Sequence, residues 1–242
     1  MHTFPTAKDR LAVGLDVTGV DAARRMLDLV GDEAGIFKLG HRLCYSGGFG
    51  LIEELSRAGK QIFADLKLLD IDQTVAEGVK SVASTGAAYL TVHAYPKAMR
   101  AGVEALGPHS TLKLLGVTVL TSMDDDDLKE AGYSDSAEAL VLKRAAQAKA
   151  AGMPGLICSA METTRLRTVV GGTMLLVTPG IRFSDGDAGD QKRVVTPQKA
   201  IADGADVLVM ARPIIAAEDP RAAARRAVEE IEAGLAERTP QT

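Results

Sequence analysis

The sequence predicts an α/β fold, a (β/α)8 TIM barrel built as a single domain over residues 1–242. Three observations carry this expectation. Short β-rich runs recur eight times along the chain, separated by longer Ala/Leu/Glu/Lys/Arg segments with helical spacing. The runs are near-continuous apolar stretches, as strands covered on both faces of a parallel sheet must be. Glycines stand shortly before several of them, where a helix ends in a left-handed residue and the chain turns into the next strand.

Taken in order, the first run covers residues 11–17 and is followed by a helical segment over 21–30. The second covers 36–39. The third, 61–67, is entered through Gly59, and the fourth, 88–93, through Gly86. The fifth covers 114–120 and precedes a helical segment over 137–151. Gly152 leads into the sixth run at 155–158, and the seventh covers 174–177. Gly204 leads into the eighth at 206–210, before a last helix over 220–235 and a frayed tail over 237–242. A doubly wound open sheet is the competing architecture, but no G-x-G-x-x-G follows the first run.

Composition narrows the function classes. Hydrophobic residues make up 46% and charged residues 25%. A chain of this length buries roughly 70–75% of its unfolded surface and needs no disulfide or metal for a core. A net charge of −4 argues against a nucleic-acid polymer or a polybasic membrane contact. Tryptophan is absent and aromatics are 4%, so a base-stacking platform is not expected. Cys44 and Cys158 lie in no CxxC or Cys/His cluster and read as small buried apolar residues. No signal peptide and no membrane span is expected, which places the protein in the cytoplasm.

In such a barrel, chemistry sits at the C-terminal ends of the strands. Polar residues at those ends are Asp16, Lys38, Asp65 with Lys67 and then Asp70, His93, Thr121 with Ser122, the Thr178–Pro179–Gly180–Ile181–Arg182 run, and Arg212. Asp65 and Lys67 are two apart and so point the same way on a strand. One such pair alone reads as a solvent-facing salt pair. Three successive strands ending in Asp, Lys and Asp-x-Lys instead suggest a set of charges that compensate one another, since each buried charge costs several kcal/mol unless paired. Gly180, Arg182, Ala211 and Arg212 supply backbone N–H groups and basic side chains suited to a phosphate. The Gly- and Asp-rich segment 183–193 reads either as a surface loop or as a lid that brings Gln191 onto a ligand. His93 is weighed as a hydrogen-bonded structural histidine ahead of a base or metal ligand. The acidic run 124–127 reads as a helix start, because calcium-loop spacing is missing. No nucleophile elbow occurs, and His2, His41 and His109 receive no role.

These motifs, in this order, resemble the orotidine 5′-monophosphate decarboxylase family over essentially the whole chain. The resemblance rests on Leu15-Asp16, Phe37-Lys38-Leu39-Gly40, Asp65 to Ile71 with Thr74, Val92-His93-Ala94, Val119 to Met123, Thr178 to Arg182, Asp190-Gln191 and Arg212-Pro213-Ile214. It implies cofactor-free and metal-free decarboxylation of orotidine 5′-monophosphate to uridine 5′-monophosphate, and a homodimer with shared active sites. Lys67 would protonate the ring carbon, Asp65 would lie beside the substrate carboxylate, and Asp70 from the partner chain would complete the Lys38, Asp65, Lys67, Asp70 set. Asp16, Lys38 and Thr74 from the partner chain would hold the ribose, with Ile71 also at the substrate. Thr121 and Ser122 would meet the pyrimidine. Gln191, Arg212 and the N–H beside it, at Ala211, would hold the phosphate, and Pro179 and Arg182 would shape that loop and its ring contact.

Loss of carbon dioxide leaves a carbanion, so a cation at that carbon stabilises charge present only in the transition state. The sequence departs from the family pattern at Leu69, Asp72, Gln73 and Ala211. Two alternatives compete. One is a magnesium-dependent ketose-phosphate decarboxylase or hexulose-phosphate synthase of the same superfamily; these carry an acidic metal ligand where Lys38 stands, and a lysine repels a divalent cation. The other is a non-catalytic nucleotide-binding barrel, against which the complete Lys/Asp set weighs.

Overall fold

The computed structural model describes residues 4–185 and 195–238. Its strands are β1 (Leu11–Gly14), β2 (Ile36–Gly40), β3 (Gln61–Leu68), β4 (Tyr89–His93), β5 (Lys113–Val117), β6 (Gly155–Ile157), β7 (Leu175–Thr178) and β8 (Val207–Met210). Each pairs in parallel with the next, and β8 pairs with β1 to close the barrel. The helices are α1 (Val20–Val30), α2 (His41–Leu43), α3 (Phe49–Arg57), α4 (Asp72–Ser84), α5 (Pro96–Leu106), α6 (Asp125–Glu130), α7 (Ala137–Ala150), α8 (Thr163–Val170), α9 (Pro197–Ala202), α10 (Arg212–Ile215) and α11 (Pro220–Glu237). Gly59, Gly86, Gly152 and Gly204 all have positive φ, as the turn from helix into strand requires.

Two expected strands are shorter in fact. The strands of the apolar runs 11–17 and 114–120 end at Gly14 and Val117, each followed by one further interstrand bond, from Leu15 N–H to Lys38 and from Thr118 N–H to Ile157. Leu15 and Val119 remain buried beyond those points. The apolar signal therefore continues into loops that fold over the barrel mouth, and hydrophobicity alone does not mark where the ladder ends. At the other end of the chain, α11 runs two residues beyond its expected end at 235 and stops at Glu237, where the tail was expected to begin.

The side chains divide into two cores, as strand alternation requires. Ala12, Ile36, Phe63, Tyr89, Leu115, Leu175, Val177, Val207 and Val209 fill the barrel interior. A larger cluster, including Leu11, Val13, Phe37, Leu39, Leu90 and Leu208, lies between the strands and the helices. The foot of β8 is tied by Asp206, which pairs with Arg167 and with Arg238 at 3.2 Å. Arg167 also donates to the carbonyls of Gly204, Gly171 and Met174, and its side chain is only 7% exposed.

Removing that guanidinium takes the side-chain donor from the carbonyls of Gly171 and Met174 and one partner from Asp206, while Arg238 still donates to the Gly204 carbonyl at 3.2 Å. Arg167→Ala is expected to lower unfolding free energy by about 3–5 kcal/mol, read by urea denaturation. A loss under about 1 kcal/mol would show that Arg238 and Arg10, whose guanidinium stands 3.9 Å from Asp206, compensate.

Candidate active site

The charged network begins on β2. Lys38 lies in the ladder between Gly14 of β1 and Phe63 of β3, and Gly40 pairs with Asp65. The two glycines make room for the lysine. A β-carbon at Gly14 would come within 3.2 Å of Lys38 Cε, and one at Gly40 within 3.2 Å of its Nζ. Through this gap the Lys38 ammonium reaches Asp16 Oδ1 at 3.2 Å and Asp65 Oδ2 at 3.4 Å. Lys67 Nζ donates to Asp65 Oδ1 at 2.7 Å. The order is thus Asp16, Lys38, Asp65, Lys67, with signs alternating.

Asp65 and Lys67 do share a side, as their spacing predicts, but the backbone between them is not regular strand. The β3–β4 register shifts between Ala64 and Leu68. Lys67 has φ 49°, the only positive φ among the described non-glycine residues. That conformation costs about 1–2 kcal/mol, and such strain persists where surrounding contacts over-determine it.

Burial penalises the Lys38 ammonium, but the charges of Asp65 and Asp16 outweigh it and its pKa stands above the ordinary lysine value. Burial also works against the Asp65 carboxylate. The charges of Lys38 and Lys67, with hydrogen bonds from Lys67 and Thr91, outweigh it and hold the group below the usual carboxylate range.

This network forms one wall of a cavity of about 510 Å³, a size suited to a small-molecule ligand. Phe63, Val117, Ile157 and Val209 form an apolar floor. Ten expected site residues line it: Asp16, Lys38, Asp65, Lys67, Thr121, Ser122, Pro179, Arg182, Ala211 and Arg212. Arg182 is nearly buried, whereas Arg212 is exposed at the rim. The cations of β7 and β8 thus face those of β2 and β3 across the same mouth.

Asp70, Ile71 and Thr74 are not among the residues lining this cavity and are exposed. Among the described residues, the Asp70 carboxylate accepts only the Ile71 N–H, at 2.7 Å. Gln191 lies outside the described residues. Arg42 was missed by sequence reasoning. It lines the cavity and donates to the Asp16 carbonyl at 3.1 Å and to Thr18 Oγ1 at 3.0 Å. Its position one turn beyond Lys38 was the available signal.

Other expectations resolve simply. His93 lies edge-on to Tyr95, with ring centroids 6.4 Å apart, so an aromatic contact stands where a hydrogen bond was expected. Burial, then the charges of Lys67 and Arg144, lowers its pKa. The acidic run starts α6 through a capping box between Asp124 and Asp127. Cys44 and Cys158 are free and buried. His41 does have a place: its Nε2 meets the Leu66 carbonyl at 3.0 Å. At the departures from the family pattern, Asp72 pairs with Lys97 at 3.3 Å and Gln73 donates to Glu77 at 3.1 Å, both on exposed surface.

Residues 9–227 match the family described as Orotidine 5′-phosphate decarboxylase / HUMPS family. An orotidine 5′-phosphate decarboxylase of Rhodopseudomonas palustris (strain BisB5) is 55% identical over 227 residues, 94% of this chain and 96% of that protein. One from Methylobacterium nodulans is 52% identical over 96% of this chain and all of that protein. The crystal structure of the Lactobacillus acidophilus orotidine 5′-phosphate decarboxylase superposes with a TM-score of 0.82 at 34% identity, covering 92% of this chain and 99% of that one.

The charge network makes stability pH-dependent at two ends. With its pKa raised, Lys38 contributes fully below about pH 10, and the contribution is lost as pH rises through the folded value. With its pKa lowered, Asp65 contributes fully above about pH 4, and the contribution is lost as pH falls through the folded value. The stability gap between the protein and its Lys38→Met variant is therefore expected to be flat from about pH 5 to about pH 9 and to narrow on both sides, measured as urea midpoints. Narrowing near neutrality contradicts the network.

Proposed function

The chain belongs to the orotidine 5′-phosphate decarboxylase / HUMPS family, and we propose that its cavity converts orotidine 5′-monophosphate to uridine 5′-monophosphate and carbon dioxide, the closing step of pyrimidine nucleotide synthesis. It is a carboxy-lyase. The observation that carries this reading is the Asp16–Lys38–Asp65–Lys67 chain above an apolar floor.

The bond between the ring carbon and the carboxylate breaks, carbon dioxide leaves, and the electron pair stays on the ring carbon. Lys67 stabilises that pair and transfers a proton to it, which forms the new C–H bond. Asp65 faces the substrate carboxylate and raises its energy before it leaves. Asp16 and Lys38 hold the ribose, and Thr121 and Ser122 the pyrimidine. Arg212 and the backbone at Gly180 and Ala211 take the phosphate, Pro179 and Arg182 shape that end, and Gln191 is assigned to it from the sequence motif. A grip on the phosphate, remote from the reacting carbon, lets binding energy assist the chemistry.

A divalent cation bound at Asp16 and Asp65 would have to displace the Lys38 ammonium already between them. That supports the metal-free reaction over the magnesium-dependent sister enzymes. The site is completed by a second copy in a homodimer. Support comes from the apolar side chains that remain exposed after β2 and β3, Tyr45 at 75%, Phe49 at 49%, Leu69 at 49% and Ile71 at 71%. In that dimer Asp70, Ile71 and Thr74 belong to the neighbouring chain's site. We place this enzyme in the cytoplasm as a single domain; no helix among the described residues is long and apolar enough to cross a membrane.

Uridine phosphate formation is expected to persist in excess EDTA and to fall about 10³-fold or more in Lys67→Ala. Loss of activity in EDTA, or an unchanged rate in Lys67→Ala, overturns the mechanism. Mixing inactive Lys67→Ala and Asp70→Ala subunits is expected to restore about a quarter of the activity, since half the dimers are hybrids with one intact site. No recovery, with hybrids formed, removes Asp70 from the partner's site.

A further inference from the structure

The amide of Lys67 has an unusual partner. Where β3 and β4 lose register between Ala64 and Leu68, the Lys67 N–H donates to a side chain, Thr91 Oγ1, at 2.9 Å. That hydroxyl in turn donates to Asp65 Oδ1 at 2.9 Å. Thr91 lies on β4 and is fully buried. Both partners fix the direction of its proton. A backbone N–H can only donate, and an ionised carboxylate can only accept, so the hydroxyl must accept from Lys67 and donate to Asp65. The same Oδ1 atom receives the Lys67 ammonium at 2.7 Å. The result is a closed ring: backbone of Lys67, hydroxyl of Thr91, carboxylate of Asp65, ammonium of Lys67.

We propose that Thr91 is a positioning residue for the decarboxylation, one whose hydroxyl locks the left-handed backbone of Lys67 and the rotamer of Asp65 into a single arrangement. This rests on the assignment of Lys67 and Asp65 as the groups that meet the reacting carbon. Thr91 is not among the residues lining the cavity, so it acts through those two residues rather than on the nucleotide. A valine has the same shape and a serine keeps the hydroxyl, so the pair separates bonding from packing. Without the hydroxyl, the Lys67 amide has no acceptor and Asp65 loses a donor. The φ of 49° at Lys67 then loses one of its supports, and the ammonium is no longer held where the carbanion forms. A displacement of about 1 Å at a reacting group costs roughly 10²-fold in rate.

The test compares Thr91→Val, Thr91→Ser, Lys67→Ala and the unaltered protein as the full chain. Single-turnover decarboxylation of orotidine 5′-monophosphate and the dissociation constant of uridine 5′-monophosphate are measured across pH, with thermal midpoints recorded for each. Thr91→Val is expected to slow the chemical step about 10- to 10²-fold while product affinity stays near its original value. Thr91→Ser is expected to restore most of the rate. The acidic limb of the rate profile moves to higher pH in Thr91→Val, because Asp65 has lost a hydrogen bond that favours its charged form. A Thr91→Val protein with unaltered rate and acidic limb overturns the proposal. So does an equal slowing in Thr91→Ser and Thr91→Val, which would show that packing and not the hydroxyl matters. If Lys67→Ala itself retains full activity, the assignment of Lys67 fails instead, and the two failures are distinguished by that variant alone.

Discussion

Two ammonium groups and two carboxylates share a barrel mouth whose floor is apolar, and they can coexist there only because each has a counter-charge within reach. Asp65 is the centre of this constraint. It accepts from Lys67, Lys38 and Thr91 within 3.4 Å. A carboxylate with three donors keeps its charge despite burial, and its charge in turn favours the ammonium form of Lys38. Removing Asp65 leaves Lys67 without its carboxylate and Lys38 with Asp16 alone, and breaking a buried pair costs more than the pair contributes when intact. The network is therefore a poor stabiliser and a good positioner: its members have few alternative places to go.

The barrel supplies the geometry. Parallel strands deliver side chains to one mouth from independent directions, so opposite ends of a ligand can meet different chemistry. The β1, β2 and β3 ends contribute the alternating charges. The β7 and β8 ends contribute Arg182 and Arg212, with Gly180 and Ala211 at the same rim. Between them lie Phe63, Val117, Ile157 and Val209, which give a low-dielectric floor where fixed charges act more strongly than in water. A whole-chain charge of −4 conceals this pocket entirely, because the acidic excess is spread over the outer helices and loops while the cations converge. The composition argues against polymeric nucleic acid without bearing on a single nucleotide.

The strand order and most of the cavity lining were legible because they depend on signals that the sequence carries directly: apolar runs, glycine turns and charged residues at strand ends. What was not legible depends on backbone events. The runs 11–17 and 114–120 overstate β1 and β5, since Leu15 and Val119 stay buried beyond the strand ends. Arg42 and Thr91 look like ordinary surface and strand residues until their partners are seen. Gly14 and Gly40 carry no motif, yet a β-carbon at either would press on Lys38. Asp70, Ile71 and Thr74 share a motif with Asp65 and Lys67, but one chain does not bring them to the same cavity. That separation is what a site assembled between copies requires.

Lys67 shows why local rules fail at this place in the fold. Its position asks for a residue that tolerates positive φ, and glycine would meet that demand without strain. Glycine has no ammonium. The chain keeps lysine and fixes the backbone from its surroundings instead, through the Thr91 hydroxyl on the Lys67 amide and the His41 ring on the preceding carbonyl of Leu66. Strain of about 1–2 kcal/mol is small against the stability of a whole barrel, and smaller than the roughly 2.7 kcal/mol that a 10²-fold loss of rate from a misplaced group represents. The irregular backbone in β3 and the place of the Lys67 ammonium on Asp65 go together. Regular alternation would point Lys67 into the mouth, but the register shift and the left-handed turn set how far along Asp65 its ammonium comes to rest.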